Sequence, residues 1–69
     1  MPIPSEYRQR LIDTLGDSGE LQQAIALGSG QLTYYLSEAM RERRGNPVAL
    51  GSVKRLYDDL QDMVTAGEI

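Results

Sequence analysis

Between Glu20 and Met40 the chain reads ELQQAIALGSGQLTYYLSEAM, two apolar-periodic segments split by Gly28-Ser29-Gly30. Leu21, Ala24, Ile25 and Leu27 are spaced to face inward from the first segment. Leu32, Tyr35, Leu36, Ala39 and Met40 do so from the second, which leaves Tyr34 at least partly exposed. Each glycine costs ~1 kcal/mol inside a helix relative to alanine. Two so close together predict a turn between separate helices over about 18–27 and 30–44, with Ser29 available to cap the second. A rival reading keeps one rod, because Leu21, Ile25, Gly28, Leu32, Tyr35 and Ala39 hold near-heptad spacing through the glycines. Folded on the C-terminal segment it would form an α-hairpin, and two copies a four-helix bundle. The ~2 kcal/mol summed glycine cost favours the break.

Working outward, punctuation supplies the other two helices. Tyr7, Leu11, Ile12 and Leu15 form one stripe of a helix over about 5–15, with Ser5 as its cap and Gly16 taking the left-handed position at its end. Asp17 followed three residues later by Glu20 resembles a capping box for the second helix. Gly45 stops the third. Asn46-Pro47 then restarts the chain with a preferred cap and a preferred first residue, opening a helix over about 47–65. There Ala49, Val53, Leu56, Leu60 and Met63 make a short heptad seam. With Tyr57 beside it, the part from Val53 to Met63 is the expected dimer interface. No strand pattern competes, so the chain reads as one all-α domain over 1–69, four short helices in all.

Composition narrows function. Sixty-nine residues bury only about 60% of the unfolded surface, so pairing with a second copy is a natural source of stability. There is no cysteine and no histidine, which removes disulfides, thiolate metal sites and the usual general base. No apolar run approaches the ~20 residues that span a bilayer, and MPIPSEYRQR lacks the order of a signal peptide. A cytoplasmic, non-enzymatic protein without a cofactor is the expectation. Gly28-Ser29-Gly30 lacks the third glycine, lysine and strand of a phosphate loop. Asp58 and Asp62 share a face that could hold hydrated Mg²⁺, but a solvated face with Lys54–Asp58 and Arg55–Asp59 pairs explains them better.

The net charge of −3 is unevenly spread. Residues 41–55 carry Arg41, Arg43, Arg44, Lys54 and Arg55 against Glu42 alone, whereas the flanking blocks are acidic. Such a block can meet phosphate locally, and the arginines also complement a helix C-terminus.

From Tyr7 to Arg44 the chain resembles the helix-turn-helix superfamily, in particular the tri-helical core of small bacterial or phage repressors. Leu21, Ala24, Ile25 and Leu27 match the scaffold helix, Leu32 and Leu36 the inward positions of a recognition helix, and Gly28-Ser29 the turn. The resemblance implies a DNA-binding transcriptional regulator with a tri-helical core plus a C-terminal helix. Gln31, Thr33 and Tyr34 would face the bases, while Arg41, Arg43, Arg44, Lys54 and Arg55 would hold phosphates. A homodimer would read half-sites about one helical turn apart. The alternative is a helical protein-interaction module, such as a phage inhibitor, secretion chaperone or antitoxin-like partner, acting through a homodimeric bundle. Its motives are a sequence pI of about 4.7, the seam after Asn46, and the lack of Arg or Lys at the start of helix 3.

Overall fold

The computed structural model describes residues 3–69 and contains four helices: α1 (Ser5–Leu15), α2 (Gly19–Leu27), α3 (Ser29–Glu42) and α4 (Pro47–Thr65). No strand occurs among the described residues, and none of these helices is long and apolar enough to cross a membrane. Met1 and Pro2, the first residues of the segment read for a leader, lie outside the described residues.

The break falls at one residue. Gly28 has φ +116 and ψ −178, a conformation open almost only to glycine. Its N–H donates to the Ala24 carbonyl at 3.2 Å, and its carbonyl accepts from the Leu32 N–H at 3.0 Å. One residue therefore ends α2 and starts α3. The single-rod alternative is set aside by this geometry. Ser29 is accordingly the first helical residue and not the cap, and Gly30 sits inside the first turn.

Capping differs from expectation at two further ends. Ser18, not Asp17, caps α2: it is extended, and its Oγ accepts from the Leu21 N–H at 3.1 Å. Asp17 instead accepts from Gln22 Nε2 at 3.0 Å. Pro4 precedes α1, no side-chain hydrogen bond caps that end, and Ser5 lies within the helix. Gly16 does take a positive φ, +86. Asn46 caps α4 as its sequence demands, Oδ1 accepting from the Ala49 N–H at 3.2 Å ahead of Pro47. α3 ends at Glu42, two residues earlier than expected, because the Arg43 and Arg44 N–H groups fall back on the Met40 and Arg41 carbonyls in a tighter turn.

The core is common to all four helices: Tyr7 and Leu11 from α1, Leu21 and Ala24 from α2, Leu32, Leu36 and Ala39 from α3, and Val53, Leu56 and Leu60 from α4. α3 packs on both α2 and α4, and α1 packs on α4. The C-terminal helix is thus a central member of the bundle. Its seam is closed within one chain: Val53 and Leu60 are 0% exposed and Leu56 2%. These three residues cannot serve as the dimer interface assigned to them, since α1 and α3 already cover them. Tyr57 and Met63 are half-buried at the margin of the same core.

Two long-range polar contacts fix α1 and α3 on α4. The buried Tyr7 hydroxyl donates to the Leu56 carbonyl at 2.5 Å, and burial pushes the Tyr7 pKa up strongly, against the lowering influence of Arg10. Gln61 Nε2 donates to Thr33 Oγ1 at 2.9 Å. No buried side-chain polar atom among the described residues lacks a partner.

Candidate interaction groove

α2 and α3 diverge from Gly28, and a groove of about 530 Å³ opens between them. Leu15 of α1 and Ala24 of α2 line it together with Tyr35 and Ala39 of α3, and Glu20 on the α2 side and Glu38 and Glu42 on the α3 side add carboxylates. Two large apolar side chains also line it while facing solvent: Leu27, 64% exposed, and Tyr34, 60% exposed. Leu27 was expected inside. At 100° per residue it lies ~120° off the Leu21 direction, and α2 stops there before a neighbour can cover it. Tyr35, also expected in the core, is half-buried and packs against the core margin.

Helical spacing sets an outer ridge on α3. Gln31, Tyr34, Glu38 and Arg41 follow one another at intervals of three and four residues and so share a face. Gln31 and Tyr34 are both exposed on this ridge. Thr33 does not join them: its hydroxyl is bound to Gln61 of α4, and its carbonyl accepts from Ser37 Oγ at 3.0 Å. Thr33 is thus a structural contact between helices and not the base-facing side chain expected of it.

The basic block is also dispersed. Arg41 lies 3.2 Å from Glu38. Arg43 donates to the Ala39 carbonyl at 3.0 Å and lies 3.7 Å from Glu42. Lys54 pairs with Asp58 at 3.1 Å on the exposed side of α4, and Arg55 with Asp59 at 3.2 Å on the side that meets α1. Among the five cations of this block, Arg44 alone makes no ion pair among the described residues. Each pair keeps at least one well-exposed partner and is individually weak, but each places a carboxylate beside a cation and cancels its field at a distance.

A shallower second cavity of about 340 Å³ lies between α1 and α4, lined by Tyr7, Arg10, Asp59, Asp62 and Met63 among others. Arg10 lines it, 5.6 Å from the Tyr7 ring centre and bonded to Asp59 at 2.7 Å. The Arg10 hydrogen bond holds the Asp59 carboxyl below the usual carboxylate range, with Arg55 contributing in the same sense. No group of three or more potential metal ligands converges among the described residues.

Sequence reasoning missed Glu20, Gln23, Leu27, Glu38 and Glu42 as groove residues. An available signal was the position of Leu27 on the last turn before a glycine, too far round the helix to reach the core. Comparison with protein-family models, curated proteins and solved structures finds no match to this chain.

Proposed function

We propose that this chain is a small protein-interaction module whose contact surface is the groove between α2 and α3. The observation that carries this reading is the pairing of Leu27 and Tyr34, both solvent-facing, on the rims of a concave acidic cleft. Exposed tyrosine beside aliphatic surface is the composition of interface hot spots. Elsewhere on the helices the exposed large apolar residues, Val48 and Val64, do not line the groove, and the net charge of −3 suits a small acidic protein kept in solution until it meets its partner.

DNA binding has less support. Phosphate affinity rises with the number of cations free to displace counterions, and four of the five residues assigned to that task sit beside a carboxylate. The α3 ridge offers Gln31 to a base edge but also Glu38, which phosphate repels.

Affinity capture with wild-type chain and with a Leu27→Asp/Tyr34→Asp variant tests the proposal. Partners should be retained by the wild type and lost by the variant, whose changes fall on exposed positions and leave the melting curve near that of the wild type. A mobility-shift experiment on fragmented genomic DNA at low salt is the counter-test. A salt-sensitive shift without groove-dependent protein capture would overturn the proposal in favour of a DNA-binding regulator.

A further inference from the structure

The groove has a charge as well as a shape. Glu20, Glu38 and Glu42 line it, against Arg43 as the one cation among its lining residues. Arg43 is occupied by the Ala39 carbonyl and Glu42. Glu38 lies 3.2 Å from Arg41 and Glu42 3.7 Å from Arg43, which leaves Glu20 as the groove carboxylate with no ion-pair partner among the described residues. Carboxylates therefore flank the apolar strip formed by Leu27 and Tyr34.

We infer that the occupant is an amphipathic helix of another protein, carrying apolar anchors on one face and Lys or Arg along its flanks. This rests on the protein-binding reading above and names the partner class. A cleft between two helices accepts a third through anchors at i, i+3 or i+4, and i+7. The groove volume of about 530 Å³ admits a few side chains and not a helix body, so the anchors enter the groove while the partner backbone stays outside it. Basic flanks then meet Glu20 on one wall and Glu38 and Glu42 on the other.

The same charges disfavour a second copy of this chain. A two-fold contact brings the same patch of both subunits together, and each patch is net negative, with Glu20, Glu38 and Glu42 against Arg43. Like charges across an interface suppress the wrong partner. A phosphate backbone meets the same repulsion.

A display library of helical peptides tests the inference. Leucine is fixed at i, i+4 and i+7, and the flanking positions are free to be Lys, Glu or Gln. Selection runs in parallel on the wild type and on the Leu27→Asp/Tyr34→Asp variant, followed by affinity measurement of the enriched peptides. Enrichment should depend on the groove and favour Lys at the flanks, with the Lys peptide binding about tenfold or more tighter than its Glu counterpart. A Glu20→Lys/Glu38→Lys/Glu42→Lys variant should reverse that order, and Glu20→Gln alone should weaken the Lys peptide without lowering the melting temperature. Groove-dependent enrichment without charge preference would overturn the cationic-helix inference and leave the interaction groove standing. No enrichment would overturn the inference, as would concentration-dependent dimerisation abolished by Leu27→Asp/Tyr34→Asp, which would make a second copy the occupant. Enrichment equal on both proteins would remove the groove itself as the contact surface.

Discussion

Replacing Gly28 by alanine isolates the backbone feature that separates α2 from α3. A Cβ at this position meets nothing within 4 Å, so packing does not oppose it. The obstacle is conformational: φ +116 with ψ −178 is a region held almost only by glycine, and forcing another residue into it costs about 1–3 kcal/mol. Whole-domain stability for a chain of this length is on the order of 3–10 kcal/mol, so the loss is a large share of the total. Gly51 is the internal control. It lies in the second turn of α4, is exposed, has no positive φ, and its Cβ would also meet open space. Alanine there should add about 0.5–1 kcal/mol, by helix propensity and a less flexible unfolded chain. Each kcal/mol corresponds to about 4–8 °C in Tm for a domain of this size. Thermal and urea unfolding followed by far-UV circular dichroism should therefore move in opposite directions for the two variants. A Gly28→Ala protein as stable as the wild type, with higher helical signal, would show that α2 and α3 fuse readily into one rod, and the groove would lose its geometric basis.

Tyr7→Phe removes the hydroxyl that bonds the Leu56 carbonyl and should cost about 1 kcal/mol in urea unfolding. Because burial raises the Tyr7 pKa in the folded state, its contribution is complete below about pH 10 and is lost as the pH climbs towards the folded value. The alkaline fall in stability should be shallower in Tyr7→Phe. Asp59 behaves in the opposite sense. Its folded pKa is lowered, first by the Arg10 hydrogen bond, so its contribution is present above about pH 4 and disappears as the pH falls through the lowered value. Asp59→Asn should cost ~1 kcal/mol at neutral pH and flatten the acid limb of the stability profile; an unchanged acid limb would assign that limb to other carboxylates. Leu36→Ala, at a fully buried position, should cost about 2–5 kcal/mol by cavity formation. Leu27→Ala at the groove rim should cost less than ~0.5 kcal/mol while weakening partner capture.

Local chemistry made the helices legible. Asn46-Pro47, Gly16 and the Gly28 region carry signals that act within a few residues, and the helix limits followed from them to within two residues at most ends. The core followed from periodicity wherever a stripe had one candidate face. Two kinds of information were not local. The α4 seam is an apolar stripe whether a second copy or α1 and α3 cover it, and only the tertiary arrangement decides that Val53, Leu56 and Leu60 are spent inside one chain. Likewise, Tyr7 with Leu56 and Arg10 with Asp59 are each separated by 49 residues, a pairing no spacing rule reports. The groove was hidden for a related reason. Leu27 looks like a core residue by type, and its exposure depends on where α2 ends and which way α3 leaves.

The proposed function requires the contact surface to lie between α2 and α3. Site-specific photo-crosslinking measures that directly: a photoreactive phenylalanine analogue is installed at Tyr34 in one protein and, in another, at Val48, which is 83% exposed and does not line the groove. Irradiation in the native host should join a discrete protein to position 34 and leave position 48 unlinked. Adducts formed equally at both positions, or nucleic acid captured at 34, would contradict the account.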